Sequence, residues 1–442
     1  MRLKAGIAGL LLVAVSLAAV PRLSRPAELV PLGQARRDLW STAREVVSTH
    51  PAFNGTDAMG SARYLRYVAR LAGSLREPLP ASRLLEDEDL VLNYLHDPHT
   101  NILDDDASPA FSPDLLPLGL YWAQGGLVAY RLALTPERIR TGDQVLAIGG
   151  VPVTRLVPRM RRYFSGNGPW LRTLAGWMLP YGTTLRWLGL VAHGRVRVTL
   201  ARPFGRRYSV SLPLVPEDLA DVLSYLRAQA GFDARLLSPV GEEQGAAFYG
   251  WRLTPDYGVF WLTSCDDTPG YRAAVRSFFA AVRISGVHYV VIDLQQNPGG
   301  NSAVAAPLLA HLPLRSRYAT GLGIAQNPRD VFRGRLYVLV DGATMSSAVD
   351  VAELLTEASD GSLVGSPTGM ASGAWGNVRL FATPDGLFRY QVSTEFVPSV
   401  DGAEAAALLP RRPLALTVRD VRQGVNPVGR WLSRLATPRV KT

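Results

Sequence analysis

The chain has 442 residues, of which 47% are hydrophobic and 19% charged, and its formal net charge is +10. This composition excludes a disordered chain, and the length is enough for two or three domains that each bury a core. The positive charge is dispersed arginine without a dense basic run or interleaved aromatic residues, which argues against a nucleic-acid partner. Only Lys4 and Lys441 are lysine, so no internal lysine is available as a catalytic base.

Residues 1–20 predict an export signal. Arg2 and Lys4 precede an apolar stretch, Ala5–Val20, that contains no charge. That stretch is slightly shorter than the about 20 residues of a membrane-spanning helix. We therefore expect export to the periplasm or the extracellular space, and an uncleaved segment that associates with a membrane stays open as an alternative. The single cysteine, Cys265, excludes an intramolecular disulfide and is expected to be inert core.

A helical cap is predicted over residues 27–110. Leu39, Ala43 and Val46 recur at helical spacing, and the helical pattern ends where Pro98 interrupts it.

A β-rich domain is predicted over residues 115–215. The run GDQVLAIGGVPV and the alternating segments RVRVTLAR and YSVSLPLV are typical of strands. A helical insertion is predicted around Met160–Leu188.

Residues 216–425 are predicted to form an α/β domain. Apolar strands such as HYVVIDL and RLYVLVDG alternate there with amphipathic helices such as SSAVDVAELLTEA, a pattern typical of layered α/β folds. Residues 426–442 are predicted to be a C-terminal tail. The sequence therefore predicts an α/β multidomain protein.

Two strand–turn–helix units carry residues that are suited to chemistry. In the first, the strand HYVVIDL is followed by Asn297-Pro298-Gly299-Gly300 and then by a helix. Paired glycines let backbone N–H groups approach a ligand closely, and the helix N-terminus adds positive potential. The amides of Gly299 and Gly300 are therefore candidate oxyanion-hole donors, although the same residues taken alone form an ordinary tight turn.

The second unit places Ser346 at a turn between the strand RLYVLVDG and a helix. An exposed serine between a strand and a helix follows the logic of a nucleophile elbow, although the G-x-S-x-G motif is absent. The amide of Ser347, at the start of the helix, is a further candidate oxyanion donor. Taken alone, Ser346 would equally serve as a helix cap.

Together the two units resemble the catalytic core of the tail-specific peptidase superfamily, which includes the C-terminal-processing peptidases, the tricorn protease core and interphotoreceptor retinoid-binding protein. The resemblance rests on VIDLQQNPGG, on VLVDGATMSSAVDVAELL and on the loop VGSPTG, and it covers about residues 115–425. Gln295 stands where the family has arginine, and Gly149 replaces the asparagine of the PDZ-like turn. The resemblance implies a crotonase-like (ClpP/crotonase) α/β catalytic core, a degenerate PDZ-like β-rich domain and an N-terminal helical cap.

The resemblance also implies the identity of the base. The processing-peptidase branch has a lysine after the V-G-x-x-T loop, where this chain reads MASG. The tricorn-like branch instead uses the histidine of an L-x-D-x-H-T motif, and LHDPHT matches it with His99. Histidine is chemically suitable, since imidazole exchanges protons near neutral pH.

A third catalytic residue is less well defined by the sequence. The tricorn-like branch has a glutamate distal to the serine, and Glu395 in the strand YQVSTEF lies at about the right distance from Ser346. A solvated glutamate at a strand edge is the alternative interpretation. Asp97 and Thr100, beside His99, are rivals for the orienting role.

The sequence as a whole predicts an exported serine endopeptidase that acts on polypeptide substrates by a Ser/His mechanism with a backbone oxyanion hole. No cofactor is implied, and the spacing typical of a metal site is absent from the sequence. The main alternative is a non-catalytic ligand- or peptide-binding protein on the same core, as the retinoid-binding member of the superfamily illustrates. A broader esterase using the same residues is a third possibility.

Overall fold

The computed structural model describes residues 29–54, 60–103, 114–132, 134–216, 236, 248–315, 321–400, 402 and 406–435. The fold is mixed α/β and contains several hydrophobic cores. The predicted export signal and both lysines lie outside the described residues. Within the described ranges, no helix is both long enough and apolar enough to cross a membrane.

Helices occur in every part of the described chain. They are α1 (Leu32–Thr49), α2 (Pro51–Asn54), α3 (Ala62–Ser74), α4 (Ala81–Leu92), α5 (Val153–Met160), α6 (Gly168–Met178), α7 (Gly182–Trp187), α8 (Pro269–Ser285), α9 (Ala305–Leu309), α10 (Ser347–Glu357), α11 (Val418–Gln423) and α12 (Pro427–Leu435), with short 3-10 turns at Asn93–Leu95, Pro203–Gly205 and Ser302–Val304.

The strands form separate sheets. They are β1 (Leu29–Val30), β2 (Leu79–Pro80), β3 (Asn101–Leu103), β4 (Asp114–Leu115), β5 (Gly119–Ala123), β6 (Gly126–Tyr130), β7 (Gln144–Ile148), β8 (Val151–Pro152), β9 (Arg195–Ala201), β10 (Arg207–Pro213), β11 (Val215–Pro216), β12 (Tyr249–Leu253), β13 (Tyr257–Leu262), β14 (Tyr289–Asp293), β15 (Arg335–Val340), β16 (Ser362–Gly365), β17 (Ala374–Ala382), β18 (Arg389–Val397) and β19 (Arg412–Pro413).

The N-terminal helices share one core. α1, α3 and α4 bury Leu39, Tyr64 and Leu84 completely, at the helical spacing that the sequence shows. The same core includes Phe388 and Tyr390, at the start of β18. The helices therefore pack against the β17–β18 hairpin, which comes from the far end of the chain.

The next unit is an antiparallel sheet with the strand order β10-β9-β7-β6-β5. The GDQVLAIGG run forms β7 and the turn into β8. A Cβ atom on Gly149 would lie 2.6 Å from the Cα of Leu190, so the turn requires glycine where the family motif has asparagine. α5, α6 and α7 lie between β8 and β9, where a helical insertion was expected.

The C-terminal half is built on a six-stranded sheet with the order β12-β13-β14-β15-β16-β19. The strands from β13 to β19 are parallel, and β12 pairs antiparallel with β13. Helices α8, α9 and α10 cover one face of the sheet. Burial on both faces explains why β13, β14 and β15 read as continuous apolar runs.

Residues 426–442, expected to be a tail, contain helix α12, which covers the second face of this sheet. Val428, Trp431 and Leu432 are buried there against Val291, Leu339 and other residues of the parallel strands. Their spacing of three and four residues is an apolar helical stripe, which explains why the segment folds. The assignment of the described part of this segment as a tail was therefore wrong.

A three-stranded sheet, ordered β17-β18-β3, connects the two halves of the molecule. Strand β3 begins two residues after His99, and Asn101 pairs with Gln391 of β18. This pairing carries the N-terminal histidine segment to the C-terminal half of the chain.

Candidate active site

Ser346 lies in the turn between β15 and α10 with φ +49° and ψ −134°. A positive φ is uncommon for a residue with a side chain and stores strain, as in nucleophile elbows. The Ser346 side chain makes no capping hydrogen bond to the helix. Its hydroxyl is therefore not used as a helix cap, which was the structural alternative.

His99 lies beside this hydroxyl. The distance between His99 Nε2 and Ser346 Oγ is 2.9 Å, a hydrogen-bond distance, although the two residues are 247 positions apart. The His99 side chain is 17% exposed. The structure thus brings together the two residues that the motifs assign as nucleophile and base.

The carboxylate nearest to His99 is that of Asp97. Asp97 Oδ1 accepts a hydrogen bond of 3.0 Å from the backbone N–H of His99 and lies 3.9 Å from its Nδ1. The longer distance exceeds a hydrogen bond, and Nδ1 has no partner among the described residues. Catalytic hydrogen bonds are often long before substrate binds, so this geometry is compatible with an orienting carboxylate.

Asp97 is almost completely buried and is surrounded by donors. Its Oδ2 accepts hydrogen bonds from Thr100 Oγ1 at 2.7 Å, from Ser393 Oγ at 2.6 Å and from His50 Nε2 at 3.2 Å. Burial raises the pKa of this carboxyl, but the donors and the nearby His99 ring outweigh burial, so its pKa lies below the usual value. Asp97 is therefore held as a carboxylate.

Glu395 is placed differently from the expectation. It is exposed on β18 and accepts a hydrogen bond from Asn377 Nδ2. Among the described residues, Asp97 is the only acidic group at ion-pair distance from His99. The structure therefore places Asp97, one of the two rivals, beside His99 and does not bring Glu395 there.

The glycine turn packs directly against the nucleophile turn. Met345 N donates to Asn297 O at 2.9 Å, and Thr344 Oγ1 donates to Leu294 O at 2.9 Å. Asp341 accepts hydrogen bonds from the backbone and side-chain amides of Gln296, which has φ +59°. These contacts fix the two turns relative to each other.

The two glycine amides differ in their availability. Gly299 N donates to Asn297 Oδ1 at 2.8 Å, so this amide is already engaged. Cys265 bonds the chain on both sides of Gly300, since Cys265 N donates to Gly299 O and Asn301 N donates to Cys265 O. In such a parallel bridge the N–H and C=O of Gly300 itself point away from Cys265.

Gly300 and Ser347 face each other. Ser347 Oγ donates to Gly300 O at 2.8 Å. As the first residue of α10, Ser347 has a backbone amide without an intrahelical acceptor. Among the described residues no acceptor is recorded for the amide of Gly300 or of Ser347.

Cys265 is buried beneath this turn, and burial raises the pKa of its thiol to about 12. A thiol with so high a pKa is a poor nucleophile, in keeping with the expected inert role. In the part of the chain that the structure describes, no group of three or more His, Cys, Asp or Glu side chains is arranged to hold a metal ion.

Sequence reasoning missed His50, Ser393 and Asp341. Ser393 is on the same side of β18 as Glu395, two residues away, but the strand pattern gives no sign of which hydroxyl or carboxylate faces Asp97. His50 follows an amphipathic helix, where a buried histidine has no distinguishing local signal.

Comparison with known proteins finds a family match in the C-terminal half of the chain and a shared fold over most of it. Residues 256–410 match the model of peptidase family S41. The structure of mature CPAF complexed with lactacystin aligns over 91% of this chain and 97% of that chain, with 16% identity and a TM-score of 0.67. A crystal structure of mature CPAF aligns over 92% and 96%, with 16% identity and a TM-score of 0.64. These alignments show a shared fold.

The photosystem II D1 C-terminal processing protease aligns over 89% of this chain and 99% of that chain with 16% identity, but its TM-score of 0.41 is too low to bear on the fold. No curated protein sequence matches the chain. The S41 match, the shared fold and the paired serine and histidine agree with the motifs in the sequence. Residues 256–410 are therefore similar to peptidase family S41, which confirms the resemblance to the tail-specific peptidase superfamily and the serine-type peptidase class predicted from the two strand–turn–helix units.

Proposed function

We propose that this chain is an exported serine endopeptidase in which Ser346 is the nucleophile and His99 the general base. The observation that carries the proposal is the 2.9 Å distance between His99 Nε2 and Ser346 Oγ. A nucleophilic hydroxyl needs a base within hydrogen-bond reach, and no lysine occurs between Lys4 and Lys441 to replace the imidazole.

The reaction proceeds in two halves. Ser346 Oγ attacks the peptide carbonyl carbon while His99 Nε2 takes the hydroxyl proton, and the proton then passes to the leaving amine as the C–N bond breaks. Water next attacks the acyl-enzyme, His99 accepts a proton from that water, and the Ser346 hydroxyl is restored as the acid product leaves. Asp97 stabilises the imidazolium that forms in each half.

The oxyanion donors in this proposal are the backbone amides of Gly300 and Ser347. Gly299 was also a candidate, but its amide bonds Asn297 and is better suited to hold the turn than to bind substrate. The hydrogen bond from Ser347 Oγ to Gly300 O keeps the two donor segments together. Donors fixed before the reaction stabilise developing charge without reorganisation.

The finer architecture is part of the same proposal. The six-stranded sheet with its helices corresponds to a crotonase-like core, and the antiparallel sheet with β7 corresponds to a PDZ-like domain. Support for these assignments comes from the strand order and from the GDQVLAIGG turn. Export is proposed from the basic start and apolar run of residues 1–20 alone.

A fluorophosphonate probe tests the nucleophile, because phosphonylation requires an activated serine. We expect stoichiometric labelling of Ser346 in the wild-type protein and none in Ser346→Ala. The labelled wild type and the Ser346→Ala variant are both expected to lose cleavage of an unfolded protein substrate. Lactacystin, which is bound in one CPAF structure, is a second probe to compare. A folded wild-type protein that neither probe labels would favour the binding-protein alternative.

A further inference from the structure

His50 links the N-terminal helices to the catalytic site. It caps the C-terminal end of α1 and is completely buried. Its ring packs edge-on against Trp375 of β17, with the ring centroids 4.8 Å apart. Through Nε2 it reaches Asp97 Oδ2 at 3.2 Å, across 47 positions of sequence.

The main chain fixes the tautomer of the His50 ring. Ala52 N donates to His50 Nδ1 at 3.0 Å, so Nδ1 is the acceptor nitrogen and carries no proton. A neutral ring with an unprotonated Nδ1 carries its proton on Nε2. His50 Nε2–H therefore donates to the Asp97 carboxylate.

The donors around Asp97 leave it no freedom to rotate. Oδ2 accepts from His50, Thr100 and Ser393, while Oδ1 faces His99. Thr100 belongs to the same loop as Asp97, whereas His50 and Ser393 come from the helical unit and from β18. The carboxylate is thus held by donors from segments that are distant in the sequence, with Oδ1 toward His99.

We propose that His50 is a positioning residue of the peptidase: its Nε2–H holds Asp97 in the orientation that aligns His99 with Ser346. The proposal rests on the Ser346–His99 mechanism above. His50 lies outside the S41-matched residues 256–410 and outside the LHDPHT motif, so it adds a residue to the site that neither the family match nor the sequence motifs supply.

Two substitutions of His50 distinguish the loss of the Nε2–H donor from the loss of the aromatic ring. Asparagine at position 50 retains an acceptor where Nδ1 lies, to bond Ala52 N, but has no group that reaches Asp97. Glutamine places an N–H donor where Nε2 lies. Both variants lose the aromatic contact with Trp375. Asparagine keeps the bond to Ala52 N and loses the bond to Asp97, whereas glutamine does the reverse, so a higher activity of His50→Gln than of His50→Asn reports the hydrogen bond to Asp97.

We expect His50→Asn to lower kcat about 10- to 100-fold, the usual effect of losing a hydrogen bond to a charged group, with KM little changed. His50→Gln is expected to retain most of the wild-type kcat. The rate of fluorophosphonate labelling, corrected for the folded fraction from thermal melts, is expected to follow the same order. Equal losses in both variants, or wild-type turnover by folded His50→Asn, would overturn the assignment.

If His50→Asn does not fold, the protonated nitrogen of His50 can be determined in the wild-type protein instead. The chain has six histidines, so a long-range ¹H–¹⁵N spectrum of histidine-labelled protein is tractable. We expect His50 to be the neutral tautomer with the proton on Nε2, and a proton on Nδ1 would overturn the proposal. If wild-type protein is not labelled at Ser346, the peptidase mechanism itself is refuted. If wild-type protein is labelled but turnover does not change in His50→Asn, only the role of His50 is refuted.

Discussion

The backbone of Gly299 packs directly against the side chain of Ser346. A Cβ atom on Gly299 would lie 2.5 Å from Ser346 Cβ and 3.1 Å from Ser346 Oγ, and Gly299 has φ +109°. Real Cβ atoms do not approach other atoms so closely, so the glycine turn and the serine turn limit each other's position. Ser346, the proposed nucleophile, is therefore held in place by a residue that has no side chain.

Gly299→Ala is expected to lower kcat about 100- to 1000-fold, because the added methyl group displaces Ser346 from His99 and disturbs the adjoining oxyanion donors. The measurement is peptide turnover per folded molecule. Gly286→Ala is the control, since Gly286 also has positive φ, +66°, but a Cβ there meets open space. If both variants lose activity only through lost folded protein, the turn has no catalytic part.

Ser346→Ala is expected to abolish hydrolysis, while Ser347→Ala is expected to keep at least about a tenth of the wild-type rate. Alanine at position 347 preserves the backbone amide and removes only one neutral hydrogen bond, from Ser347 Oγ to Gly300 O. Active-site titration with a fluorophosphonate and cleavage of an unfolded protein distinguish the two variants. Wild-type activity in Ser346→Ala would rule out the proposed nucleophile.

His99→Ala is expected to lower kcat by several orders of magnitude with little change in the melting temperature, because the ring bonds Ser346 and contributes little to a core. The control is His193→Ala, which removes an exposed histidine from the turn before β9. A fully active His99→Ala would exclude the Ser/His mechanism.

The stability of the protein is expected to decrease between about pH 5 and pH 8. Burial raises the pKa of Glu88 to about 8, and burial together with the nearby carboxyl of Asp385 raises the pKa of Asp38 to about 7. A carboxyl whose folded pKa exceeds its unfolded value stabilises the fold at low pH, and that stabilisation is lost as pH rises through the folded pKa.

Glu88→Gln is accordingly expected to reduce the difference in melting temperature between pH 5 and pH 8. The exposed substitution Glu77→Gln serves as the control and should leave that difference unchanged. An identical pH dependence in wild type and Glu88→Gln would contradict the assignment of the effect to this buried carboxyl.

Trp431→Ala is expected to destabilise the protein by about 3–5 kcal/mol, the usual cost of removing a buried aromatic side chain. Trp431 is 7% exposed and packs edge-on against Tyr337 of β15, with ring centroids 4.9 Å apart. Urea unfolding measures the change, and Arg434→Ala on the exposed side of α12 is expected to change stability by less than about 0.5 kcal/mol. A small effect at Trp431 would support the original interpretation of this segment as a tail.

The sequence supported the main elements of the site for a physical reason. Ser346 and the glycine pair stand at strand–helix junctions, and such junctions are visible in the alternation of apolar runs and turn residues. His99 was recognisable through its LHDPHT motif. The strands of the parallel sheet could also be predicted, because burial on both faces makes their sequences continuously apolar.

Contacts between segments that are distant in the sequence could not be predicted from it. Asp97 rather than Glu395 faces His99 because β3 pairs with β18 in one register, which brings Ser393 to Asp97 and leaves Glu395 exposed. The choice between Gly299 and Gly300 as oxyanion donor depends on which way each amide points, and residue identity does not encode that direction. The contact of His50 with Asp97 could not be predicted either, since only tertiary packing brings the two residues together.

The distribution of the site along the chain has a consequence for biosynthesis. His50, Asp97 and His99 are translated early, Ser346 follows 247 positions after His99, and Ser393 of the clamping strand comes later still. During synthesis His99 is therefore first present without Ser346, and then with Ser346 but without Ser393. On the proposed mechanism, activity requires that the segment with His99 and the strand with Ser393 have both docked, so we expect a chain that stops before Ser393 to be inactive.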